Sequence, residues 1–312
     1  MKAVASNIFF VVLFSALLFL SGCQKQPVAG RPTSSPVSSS PIQIPADGWF
    51  SPSQYQGILG VGVDVDWANN NQGMLYYNEQ AVRDFKLRGV SHVRLRMRNE
   101  ITAGLLNHID RIVQDCLKND IIPVIAFQAD TLKAYPFRPG VIDNAVNWWK
   151  EMAEKMQNYD TRLSFDLMVE CADSLNNYPA RLNEYFERAV TEIRKTNPKR
   201  IIMISPRKLS SPDYLADLQI PSQHNNYLMV EWHFYAAGPS KTNATKLWTT
   251  GTPAEKQLIT DKINTAYNWQ KSHKIPIWVG AWMAGNYNDG DEYTVAEQID
   301  FANFMSCSGR FR

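Results

Sequence analysis

Only four cysteines occur in the 312 residues, at positions 23, 116, 171 and 307. None stands in a Cys-x-x-Cys or Cys/His ligand spacing, so no metal site is implied and nothing calls for a cofactor. The three that follow Cys23 lie on separate predicted elements, which leaves open one disulfide with a spare thiol or three free thiols. An excess of one charge is also missing: 32 Lys and Arg face 30 Asp and Glu, for a net charge of +2. With no basic stripe, a nucleic-acid surface is excluded. Glycine and proline are modest, at 16 and 17, which argues against fibrous or low-complexity chains. What is present, 45% hydrophobic and 20% charged residues, suits one large globular domain with a generous core. Tryptophan is plentiful at nine, and several lie near the ends of apolar runs, where rings can stack on sugars as well as fill a core.

The N-terminus reads as a targeting segment. Lys2 gives a positive start, 8–20 is an apolar run too short for a comfortable transmembrane helix, and Leu20-Ser21-Gly22-Cys23 closes it. Leu-Ser-Gly-Cys resembles the lipobox of bacterial lipoproteins. That resemblance implies that Cys23 becomes the lipid-modified N-terminus, and Gln24 after it favours the outer membrane, in the periplasm or at the surface. Residues 24–47 are rich in Pro, Ser, Thr and Gln and bury too little to offset chain entropy, so they read as a flexible tether. The folded domain is expected over 48–312.

Within that domain short β-rich runs alternate with longer amphipathic ones, the pattern of repeated βα units on a parallel sheet. Strands are predicted at 58–66, 92–97, 121–127, 163–170, 200–205, 227–235 and 275–281. Helices are predicted at 79–88, 103–119, 141–158, 179–196, 253–272 and 294–306, with a short one near 213–218. Seven such units predict a (β/α)8 TIM barrel that lacks its eighth βα unit. First and seventh strands would then have unpaired edges, so a chain truncated at its C-terminus is expected, with an open barrel or a gap closed by another chain as the alternatives.

Parallel α/β barrels keep their chemistry at the C-terminal ends of the strands. Glu170 ends the fourth predicted run, and strict alternation would put it on one face with Met168 and Asp166. Other strand ends bring Asp64, Asp66 and Trp67, then Arg94, Arg96 and Arg98, then Gln128 and Asp130, then Glu231, His233 and Tyr235. Each alone is more often structural, but their convergence on one mouth is what barrel enzymes use.

Arg94-Leu95-Arg96, the run from Phe165 to Glu170, His233-Phe234-Tyr235 and the run from Pro276 to Trp282 resemble glycoside hydrolase family 5, the cellulase family of (β/α)8 barrels. The resemblance covers most of 55–306. It implies that Glu170 is the acid/base, that His233 and Tyr235 line the subsite around the scissile bond, and that Arg96, in preference to Arg94, orients the nucleophile. A retaining pair of carboxylates would stand about 5 Å apart, and burial of Glu170 beside aromatics would keep its proton available. Trp67, Gln128, Trp232, Trp282 and Glu231 are the expected substrate contacts.

Three positions depart from the family pattern. Val169 replaces the Asn before the acid/base, Gln128 replaces a His, and Ala281 stands where the nucleophilic Glu is expected. Glu231, or Asp289, Asp291 and Glu292 after the seventh strand, are candidate second carboxylates. The first reading is therefore an exported hydrolase of O-glycosidic bonds in a β-linked polysaccharide. A glycan-binding lipoprotein without catalysis, with Trp67, Trp232 and Trp282 as platforms, is the second, and a lyase on the same barrel the third.

Overall fold

The computed structural model describes residues 41–233, 248–283 and 294–308. Seven parallel strands form one sheet in sequence order: β1 (Gly62–Val65), β2 (His92–Met97), β3 (Ile122–Phe127), β4 (Ser164–Asp166), β5 (Ile202–Ile204), β6 (Leu228–His233) and β7 (Ile277–Ala281). Between them run α2 (Asn71–Tyr76) and α3 (Glu79–Leu87), α4 (Ala103–Lys118), α5 (Asp130–Ala134) and α6 (Val141–Met156), and α7 (Pro179–Arg194). Then come the turn α8 (Arg207–Ser210), α9 (Pro253–His273) and α10 (Val295–Ser308). This is a TIM-type barrel of seven βα units, as the alternation of runs predicted.

Strand alternation divides the core in two. Ile122, Val124, Met203, Met229 and Trp278 face the interior, whereas Val93, Leu95, Ile125, Ile202, Val230 and Trp232 face the helices. The amphipathic helices supply the outer half of that second layer: Ile109, Val113, Trp149, Met152, Phe186 and Ile193 recur at helical spacing and are buried in it.

The sequence reading missed several short elements, α2, α5 and α8 among them, and one that closes the barrel. Residues 52–59 begin α1 (Pro52–Leu59), so Ile58 and Leu59, read as strand, are helical. The signals were local: Ser51 and Gln54 make a reciprocal capping box and Pro52 sits at the first turn. This helix closes the bottom of the barrel, with Phe50, Tyr55 and Leu59 packed under the interior residues. Gln56 Nε2 donates to the Ile277 carbonyl on β7 at 2.7 Å, and the Leu59 carbonyl meets His92 Nδ1 on β2 at 2.7 Å. The segment ahead of β1 thus ties together strands near both edges of the sheet. Contacts begin earlier still, since Ile42 N donates to the Asp120 carboxylate at 3.2 Å, inside the stretch read as tether.

The fourth strand is shorter than predicted. It ends at Asp166, and Leu167 and Met168 both join the outer core, so the expected alternation out to Glu170 fails. Trp149 Nε1 and the Tyr185 hydroxyl both donate to the Leu167 carbonyl, at 3.2 and 2.7 Å. These bonds from the helix layer hold the chain out of regular pleat just after the strand.

Candidate active site

Glu170 reaches the mouth by a backbone turn. Its φ of 63° is left-handed, a conformation costly for a residue with a Cβ and held only by its surroundings. The residue before it is fixed at both of its backbone polar atoms. Val169 N donates to the Phe127 carbonyl at 2.9 Å, and Lys133 Nζ donates to the Val169 carbonyl at 2.6 Å. Lys133 is buried, and its desolvation lowers its pKa. It also approaches Gln128 Oε1 at 3.4 Å. Gln128 is therefore part of the wall behind Glu170, and Lys133 is a site residue that sequence reading passed over. A Lys in a short amphipathic turn gives no signal of burial.

Turned in this way, the Glu170 side chain is 20% exposed and its Oε1 lies 2.7 Å from His233 Nδ1. His233 Nε2 in turn bonds Glu231 Oε1. Glu231 is fully enclosed, and Arg94 Nη1 reaches the same oxygen. Arg94 also holds Asp64 bidentately, with Nε to Oδ1 at 2.7 Å and Nη2 to Oδ2 at 2.8 Å, and approaches Asp166 Oδ2 at 3.2 Å. Four strands, β1, β2, β4 and β6, thus feed one polar layer directly above the apolar interior residues, buried at Arg94, Asp166, Glu231 and His233 and open to solvent at Asp64, and Glu170 caps it from the loop after β4.

The protonation pattern follows from the desolvation and the pairing. Burial would push Glu231 up, but the charges of Arg94 and His233 outweigh it and hold the carboxylate ionised. Asp166 goes the other way: burial and the neighbouring Glu231 charge raise it well above the usual range, so it keeps its proton. Asp166 Oδ1 and Glu231 Oε2 have no other partner among the described residues, and the proton on Asp166 lets these two side chains bond each other. Burial would discharge His233, yet Glu231 and Glu170 push it up to about 9. At neutral pH two cations, Arg94 and His233, therefore face two anions, Asp64 and Glu231, with Asp166 neutral between them.

A pH test follows. His233 is raised above its unfolded value near 6.5, so its contribution to stability is complete below about pH 6.5 and is lost as pH rises towards about 9. The melting temperature should fall across that window, and His233→Gln should flatten the fall. An unchanged slope in the variant would assign it elsewhere. His92, pushed down to about 4 by burial, acts in a separate window, its contribution being lost as pH falls below about 6.5.

The structure corrects two sequence expectations. The guanidinium in the network is that of Arg94, because β2 presents His92, Arg94 and Arg96 to one side and Arg94 lies at the depth of Glu231. Arg96, 32% exposed, pairs instead with Asp66 at 2.7 Å. Trp232 is fully buried in the outer core; alternation puts it on the opposite face from Glu231 and His233, so it cannot stack on a sugar at the mouth. Trp67, half-buried, packs on Phe85, 5.7 Å and 18° from parallel, and against Tyr77, so one face of its ring is taken up by α3. Trp282 keeps partial exposure and meets Phe301 edge-on at 6.0 Å.

Ala281 ends β7. The register shifts between Trp232 and His233, which makes Ala281, not Gly280, the neighbour of His233. Gly280 has no room for a side chain, since a Cβ there would overlap Glu231 Oε1. Tyr235, Asp289, Asp291, Glu292 and Cys23 lie outside the described residues. Cys116 and Cys171 are free, buried thiols.

Comparison with known proteins agrees with this architecture. Endoglucanase H of Acetivibrio thermocellus is 24% identical over 279 residues, 82% of this chain and 29% of that protein. Endoglucanase A of Clostridium longisporum is 20% identical over 211 residues, 61% of this chain and 40% of that protein. The chain therefore spans well under half the length of these relatives. Among solved structures, endoglucanase Cel5A of Thermotoga maritima superposes with a TM-score of 0.71 at 21% identity, covering 83% of this chain and 88% of that one. A hyperthermophilic endo-beta-1,4-glucanase in complex with substrate gives 0.70 at 23%, over 83% and 89%. The model of the cellulase family, glycosyl hydrolase family 5, matches residues 53–309, and the chain belongs to that family.

Proposed function

We propose that this protein is a glycoside hydrolase of β-linked polysaccharide in which Glu170 is the acid, exported and anchored through a lipid on Cys23. The observation that carries the reading is the placement of Glu170, turned out of the strand at the open end of the barrel and hydrogen-bonded to a buried imidazolium. Glu170 would pass a proton to the leaving glycosidic oxygen, while His233 supplies positive charge beside it as that proton departs. With Ala281 in the place of the family's nucleophilic Glu, no covalent glycosyl-enzyme forms there. The course this leaves is direct attack by water with inversion at the anomeric carbon, the water's proton passing to a second carboxylate, for which Asp289, Asp291 and Glu292 are the candidates. Endoglucanases among the relatives make β-glucans the first substrates to try.

Ala281 also favours a second reading, a glycan-binding protein that no longer cuts. Glu231, the carboxylate next along the hydrogen-bonded chain, is enclosed and does not meet a sugar directly.

The test is incubation of the protein with soluble β-glucans, mannans, xylans and uronic-acid polymers, followed for reducing ends, product anomer and retardation in glycan-containing gels. New reducing ends with inverted configuration support the hydrolase. Retained configuration would require a second carboxylate from elsewhere. Retardation with no product assigns binding alone, and an unsaturated product seen by ultraviolet absorbance assigns a lyase. Release of protein from membranes when Cys23→Ser is made checks the anchor.

A further inference from the structure

Away from the charged layer, at the same end of the sheet, the loops after β3 and β4 enclose an open hollow of about 510 Å³ lined by Tyr135, Pro136, Phe137, Arg138, Ser174 and Tyr178. Its aromatic rings are unusually bare: Tyr135 and Phe137 are each 61% exposed and Tyr178 is 42% exposed. Scattered single apolar residues on a surface need no explanation, but three rings around one hollow do.

These rings are also held in place. Phe137 meets Tyr178 edge-on at 4.7 Å, and the Arg181 guanidinium lies 5.5 Å from the Phe137 ring centre. Arg181 donates twice to the Pro136 carbonyl, at 2.9 and 3.1 Å, so α7 clamps the loop from behind. Arg138 N closes the turn onto the Tyr135 carbonyl at 3.0 Å. Rings fixed before a ligand arrives lose little freedom when it binds.

We infer that this hollow is a subsite for a β-linked glycan chain, separate from the sugar positions beside Glu170. This rests on the glycan-directed reading above and adds to it a second place of contact on the same chain. Two features select a sugar over another occupant. Apolar ring faces sit among polar groups, the hydroxyls of Tyr135, Ser174 and Tyr178 and the guanidinium of Arg138, which matches a pyranose with its apolar face and its rim of hydroxyls. The hollow is also continuous with the wall of the candidate site: Ser174 follows Glu170 by one short turn, and α5, which leads into Tyr135, carries the Lys133 that grips Val169.

The test uses the full domain with Glu170→Gln, so that no substrate is consumed, and compares it with the same protein carrying Tyr135→Ala and Phe137→Ala. Both rings are more than half exposed, so the melting temperature should be unchanged, and Phe137→Tyr should keep binding. Retardation in gels containing mixed-linkage β-glucan, glucomannan or xylan should weaken roughly tenfold or more when both rings are lost. Retardation of the parent with no weakening in the double variant overturns the subsite and leaves the functional reading intact. A parent that no glycan retards overturns both. Unchanged retardation with a loss of self-association in sedimentation assigns the rings to a second copy of the chain, which also overturns the proposal.

Discussion

Glu170→Gln should lower the release of reducing ends by roughly 10²–10⁴-fold, the usual contribution of a positioned acid, while leaving retardation in a glycan gel nearly unchanged. The amide keeps the size of the side chain and can still bond His233 through its carbonyl oxygen, at the atom that now lies 2.7 Å from Nδ1. What it loses is the proton for the leaving oxygen. Substrates with good leaving groups, which need little protonation, should lose far less, and that split separates a missing acid from a misplaced one. The left-handed backbone at Glu170 also tolerates Gln as well as Glu, so the fold is not in question. A loss of less than about threefold on polysaccharide would remove Glu170 as the acid. Binding that collapses together with turnover would make Glu170 a sugar contact instead.

Much of this site was legible in the sequence, and what was not has a physical reason in each case. Period-two patterning on β2 and β6 fixes which residues share a face, and it correctly groups Arg94 with Arg96 and Glu231 with His233. The same rule, applied to Trp232, excludes it as a platform, since a residue between two inward-facing neighbours must face the helices. Depth is a different matter. Arg94 and Arg96 have the same parity, and only the register of β2 against β1, with Arg94 opposite Asp64, decides which of them meets the buried carboxylates. The loop after β4 was misread for another reason. An apolar run looks the same whether it pleats or not, and the break after Asp166 is set by Trp149 and Tyr185, side chains from α6 and α7. The bottom helix α1 was the opposite case, written plainly in its capping residues and overlooked because the apolar residues 58–65 continue past its end.

Arg94→Met should destabilise the domain by about 3–5 kcal/mol, the usual consequence of removing one partner from a buried ion cluster. Arg94 is the cation that touches Asp64, Asp166 and Glu231 together, and it is almost wholly buried. Without it Glu231 keeps His233, but Asp64 loses both bonds of a bidentate pair and Asp166 loses the hydrogen bond from Nη1 to its Oδ2. Met fills the volume of the aliphatic stem, and what goes with the guanidinium, including its place 5.6 Å from the Trp278 ring centre, is charge rather than bulk. Arg94→Lys should recover only part of it, because one ammonium cannot span two oxygens of Asp64 and reach Glu231 as a planar fork does. Denaturant unfolding gives the magnitude, and its pH dependence gives the cause. Asp64 and Glu231 have folded-state pKa values held down by Arg94, so the stability they contribute is present above their unfolded values and is lost as pH falls through the folded ones. The difference between Arg94→Met and the parent should therefore shrink as the solution is acidified below about pH 4. Adding Asp64→Asn to Arg94→Met should restore a measurable part of the loss at neutral pH, the coupling expected of residues that share one network. A penalty that stays constant with pH, or additive effects in the double variant, would mean that Arg94 acts by packing rather than by charge.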